Sequence, residues 1–84
     1  MNKDNNRVAI LGIVVNNREE TSKKLNDILS DFADIIVGRM GLPYKEKGIS
    51  VISIIVDGSN DQIGALAGKL GNISGVKAKV AITH

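Results

Sequence analysis

Asp34-Ile-Ile-Val-Gly-Arg-Met-Gly-Leu-Pro-Tyr-Lys-Glu-Lys-Gly-Ile-Ser-Val-Ile-Ser-Ile-Ile-Val-Asp57 decides the fold. Ile35 to about Met40 reads as one strand, Gly41 to Gly48 as a connection marked by Gly and Pro, and Ile49 to Val56 as a strand apolar on both faces. A chain of 84 residues has too few elements to cover both faces of such a strand. The surplus face calls for a partner, most simply another copy of the chain.

Upstream, Arg7 to Val15 (RVAILGIVV) is a β-branched run closed by Asn16-Asn17, a buried strand and its turn. Asn17 with Glu20 has the spacing of a capping box, so a helix is expected to start there. Leu25, Ile28, Leu29 and Phe32 then fall on one helical stripe, opposite Lys23, Lys24, Asn26, Asp27 and Asp31. Downstream, Asp57-Gly58 marks a turn, Ser59 with Gln62 repeats the capping-box spacing, and Ile63, Leu66, Ala67 and Leu70 repeat the stripe. Gly71-Asn72 closes that helix and Ser74-Gly75 turns the chain. Val76, Ala78, Val80 and Ile82 alternate with Lys77, Lys79, Ala81 and Thr83, a strand with one wet face. The polar residues 1–6 are expected to be a disordered tail and 7–84 a single domain. The order βαββαβ predicts an α+β, ferredoxin-like sandwich: a four-stranded antiparallel sheet with two helices on one face.

In that topology the first and third strands are central and the second and fourth lie at the edges. Placing Ile52, Ile54 and Val56 against the helices leaves Val51, Ser53 and Ile55 on the helix-free face. Arg39 suggests that Ile35 and Val37 share that face. With residues of the first strand they form an apolar patch of several hundred Å², above what monomers usually expose. Ile35, Val37, Val51, Ser53 and Ile55 are therefore the expected interface of a homo-oligomer, a dimer or tetramer, with Arg39, Lys77 and Lys79 as its rim.

Composition removes several activities that this fold supports elsewhere. There is no cysteine and a single histidine, His84, so no thiolate or clustered-imidazole metal site is expected. Phe32 and Tyr44 are the only aromatics and neither lies on a central strand, which argues against base stacking on the sheet. Eleven cationic residues against nine anionic ones make no nucleic-acid footprint. No apolar run approaches the ~18 residues of a membrane span, and the first residues lack a signal-peptide core, so a cytoplasmic protein is expected. Gly64-x-x-x-Gly68-Lys69 has the wrong spacing for a phosphate loop. It reads instead as close approach of a helix backbone to the sheet or to another subunit. No motif assembles an acid/base pair or an activated nucleophile, so neither catalytic residues nor a cofactor is expected.

Two binding regions remain. Gly38, Gly41, Pro43 and Gly48 fit bulge and turn roles, and Tyr44 fits a cap on one end of the core. As a site, Arg39, Tyr44, Lys45 and Lys47 would make a cationic mouth for an anionic ligand or an acidic partner. Asn16 and Asn17, beside the start of the first helix, form the second candidate, for an anion or carboxylate.

IVGRMGLPYKEKGISVISIIVDG, with DQIGALAGKLG, SGVKAKVAIT, the leading VAILGIVVNNRE and the DIIVGR junction, resembles the small regulators associated with iron-only hydrogenase systems. The resemblance covers the chain after its polar tail. It implies an ACT-like ferredoxin fold, homo-oligomeric assembly and a regulatory role in hydrogenase expression or maturation. It also implies a small effector bound near the first strand–helix turn, where Asn16-Asn17-Arg18 stands, or a hydrogenase-maturation protein as partner. The alternative is an accessory protein of maturation with no small-molecule ligand. A transcription regulator would need a DNA-reading element; with no helix-turn-helix in the chain, direct nucleic-acid binding is not expected.

Overall fold

The computed structural model describes residues 6–84. It runs β1 (Asn6–Asn16), α1 (Glu19–Asp31), β2 (Ile36–Tyr44), β3 (Ile49–Ser59), α2 (Asn60–Gly71) and β4 (Val76–Ile82), with short 3-10 turns at Ala33–Ile35 and Lys45–Lys47. The strands pair antiparallel in the order β2-β3-β1-β4, so β1 and β3 are central as expected. This is the split βαβ arrangement with both helices on one face of the sheet.

The core is aliphatic. Ala9, Leu11, Ile13 and Val15 of β1 and Ile52, Ile54 and Val56 of β3 alternate onto the helix side and are buried. Leu25 and Leu29 of α1 and Ile63, Leu66 and Leu70 of α2 close over them, with Ile28, Phe32 and Ala67 packed at the margin. Lys69 Nζ lies 5.7 Å from the Phe32 ring centroid and covers its outer side. The Ser59–Gln62 capping box is present: Gln62 N–H donates to Ser59 Oγ at 3.1 Å, and Ser59 N–H donates to Gln62 Oε1 at 2.9 Å.

Several boundaries differ from the reading of the sequence. Asn6 is not tail but the first residue of β1, paired with Ser59; residues 1–5 of the expected tail lie outside the described residues. Arg18, not Asn17, caps α1, and its side chain makes no capping bond. Asn17 Oδ1 instead accepts from Ser50 Oγ at 2.9 Å, tying the turn to β3. Asp57-Gly58 is no turn, since β3 continues to Ser59 and Gly58 pairs with Arg7. Gly58 is needed for space: a Cβ there would stand 2.9 Å from Gln62 Oε1 and 3.2 Å from Ile35 Cγ2. The second strand takes in Gly41, Leu42, Pro43 and Tyr44, leaving a tight turn that closes on Gly48 at φ +68°. Pro43 is tolerated because β2 is an edge strand. Gly64 and Gly68 face open space, with nothing within 4 Å of a Cβ, so α2 does not use them to approach the sheet.

Candidate functional site

The helix-free face is bare. The pairings Ile10↔Ile55, Gly12↔Ser53 and Val14↔Val51 put one side of the central strands there, as expected for Val51, Ser53 and Ile55. On β2 the expectation fails for Ile35. Ile35 belongs to the 3-10 turn before the strand and is buried in the core, because the chain has not yet entered the sheet. Val37 sits at a register shift between Ile36 and Gly38 and pairs with no residue. That bulge reverses the alternation, so Arg39 shares the helix side with Ile54, while Gly38, Met40, Leu42 and Tyr44 take the bare side. Lys77 and Lys79 border the face on β4, paired with Val14 and Gly12. Seven large side chains occupy it (Ile10, Val14, Met40, Leu42, Tyr44, Val51 and Ile55), exposed from 38% at Val14 to 73% at Met40. Its middle is low, since Gly12 and Ser53 are small. Val80 and Ile82 of β4 lie on the helix side yet stay half exposed, because burial falls off along this strand from Val76 outwards.

Three turns converge at one end of the sheet. Asn16 pairs with Ile49, and its N–H donates to the Gly75 carbonyl at 3.0 Å. The Asn16 Oδ1 atom accepts from Arg18 N–H at 3.1 Å, which shapes the step into α1. Between this turn and the first turns of α1 lies a polar pocket of about 180 Å³ lined by Asn16, Arg18, Glu20, Thr21, Lys24 and Ser74. Two cations, one carboxylate and two hydroxyls there have the composition to hold a small anion. Thr21, buried at 5% exposure, is the one polar residue in the otherwise apolar interior of the described residues.

Of the proposed site residues, Asn16, Asn17, Tyr44, Lys45 and Lys47 fall at this end, on adjoining turns. Arg39 does not: five residues back along β2, at ~3.4 Å per residue, it is roughly 17 Å from Tyr44. It also lies on the opposite side of the sheet, so the four residues make no single mouth. Thr21, Lys24 and Ser74 escaped the sequence, which carries no spacing that joins them. Met40 and Leu42 did leave a signal, the alternation Met40-Gly41-Leu42-Pro43, but Gly and Pro drew it toward a loop reading. Among the described residues no three acidic or imidazole groups come together for a metal, and no helix is long and apolar enough to cross a membrane.

Comparison with known proteins accords with the fold. TM1266 from Thermotoga maritima is 40% identical and superposes with a TM-score of 0.92 over 94% of this chain and 99% of that one. The ACT domain of a GTP pyrophosphokinase from Chlorobium tepidum, 20% identical, gives 0.73 over 93% of this chain and 99% of that one, a likeness of fold. A nitrogen regulatory PII-like protein from Thiomonas intermedia K12, 17% identical, gives 0.50 over 92% and 94%. No curated protein matches. Residues 7–80 match the profile of the TM1266-like family, whose description is "Iron-only hydrogenase system regulator, putative". With an ACT-like ferredoxin fold and that match along nearly its whole length, the chain belongs to the TM1266-like family of iron-only hydrogenase system regulators.

Proposed function

We propose that the protein is a non-enzymatic regulatory domain that works as a homo-oligomer, joined through its helix-free face, and takes a small anionic effector at the end where the three turns meet. The bare face carries this reading. Its seven large side chains, 38–73% exposed, make a contiguous apolar patch, of the kind that a standard interface of ~800 Å² per partner buries. Among the described residues no element covers it. The interface then supplies the two-state element that an effector at the adjoining turns would bias. Arg18 and Lys24, with the Thr21 and Ser74 hydroxyls, support an anion as ligand, and family membership supports the regulatory role.

A thermal-shift series of anionic metabolites against the purified protein tests the effector. Binding at 100 times Kd adds about 2.7 kcal/mol of stability, a readily measured rise in Tm. The Arg18→Ala, Lys24→Ala double variant should lose that rise while keeping its oligomeric mass. If no anion shifts Tm and a maturation protein co-purifies instead, the accessory reading replaces this one.

A further inference from the structure

A second cavity, about 350 Å³, opens on the helix-free side where β1 ends and β4 begins. Val14, Asn16, Ile49, Gly75, Val76 and Lys77 line it, which puts it at a corner of the bare face and back to back with the polar pocket across Asn16. Gly75 is why the corner is built this way. It holds φ at +89°, and a side chain there would strike the Asn16 carboxamide. The Oδ1 atom of that carboxamide is already engaged by Arg18 N–H, which leaves its NH₂ group as the available donor beside Gly75. Lys77 pairs with Val14 in the sheet, is exposed, and forms no ion pair among the described residues. The corner therefore combines one cation and one amide donor with aliphatic walls from Val14 and Ile49, and none of its side chains carries negative charge; the Val76 side chain turns away into the core.

Resting on the effector reading above, we infer that this cavity binds a short aliphatic monocarboxylate, its carboxylate on Lys77 and Asn16 and its hydrocarbon against Val14 and Ile49. A single charge matches a single ammonium, and the two acceptor oxygens of a carboxylate match two separate donors. A phosphate dianion would leave charge unmatched here and has no tail for the apolar walls. The cavity volume lies at the low end of ligand sites, in keeping with a molecule of a few carbons.

The test is an isovalerate titration of the ¹⁵N-labelled full chain, followed by amide NMR shifts, with isovaleramide and inorganic phosphate as comparisons. Isovalerate should move the amides of Val14, Asn16, Ile49, Gly75 and Lys77 first. Isovaleramide, and isovalerate against Lys77→Met, should bind about tenfold more weakly, while Lys77→Arg keeps most of the affinity. Equal binding of acid and amide, or undiminished binding to Lys77→Met, would overturn the inference. Phosphate shifts at Arg18 and Lys24 with no isovalerate response would overturn this ligand class alone and leave the effector reading standing. Silence toward both probes would overturn this inference and leave the effector reading to the thermal-shift series.

Discussion

Two asparagines in sequence have different tasks, and neither is the cap that the local pattern promised. Asn17 and Ser59 each stand three residues before a Glu or Gln, yet only Ser59 forms its box. The difference lies 33 residues away in sequence, where Ser50 Oγ donates to Asn17 Oδ1. A local pattern records what a side chain can do for its own helix, and a tertiary partner can outbid it. Ser59→Ala removes the box that does form. It should cost about 1 kcal/mol, a fall in Tm of roughly 4–8 °C for a domain of this size, read by thermal denaturation at fixed protein concentration. Gly75→Ala meets two penalties, a left-handed φ of +89° and the Asn16 carboxamide, and should lose more than the ~1 kcal/mol typical of such glycine sites. An equally stable Gly75→Ala protein would contradict the account of that corner.

At the scale of elements, helices and core were legible from hydrophobic period, and strand order from the βαββαβ succession that it gives. Leu25, Leu29, Ile63, Leu66 and Leu70 are all buried where their spacing placed them. The second strand was only half legible. Its bulge lies at Val37 beside Gly38, a residue whose type fits a bulge, but residue type does not tell how the bulge changes which side chains face which way. Hence Ile35, which is buried in the core, was placed on a face that Met40 and Leu42 occupy, and Val37 falls at the bulge itself, outside the paired register. The glycines of α2 show the same limit from the other side. Gly64 and Gly68 have open space where a Cβ would go, so nothing within one copy requires them. In a single copy, Gly64→Ala and Gly68→Ala should each stabilise by roughly 0.5–1 kcal/mol in urea unfolding. A loss of stability in the assembled protein would instead reveal a neighbouring chain packed closely on α2.

At the scale of the whole molecule, the sheet is finished on one side and unfinished on the other. The helices seal Leu11, Ile13, Ile54 and Val56, while Ile10, Val14, Val51 and Ile55 of the same two strands stay open to solvent with Met40, Leu42 and Tyr44 beside them. That a second surface existed could be read from Val51–Val56, a run that is apolar on both faces with Ser53 as its one polar residue. Its outline could not, because the contribution of β2 depends on the bulge. The turns that converge at one end were likewise invisible until the pairing of Asn16 with Ile49 brought them together. Charge placed at the centre of the face should separate the copies without disturbing the core: Val51→Lys with Leu42→Lys should give a folded single chain, checked by unchanged far-UV circular dichroism and a halved or smaller particle mass. The most direct measurement is sedimentation velocity of the wild-type chain at micromolar concentration. A particle of at least twice the mass of one chain is the predicted result; a well-behaved single-chain species across that range would contradict the account.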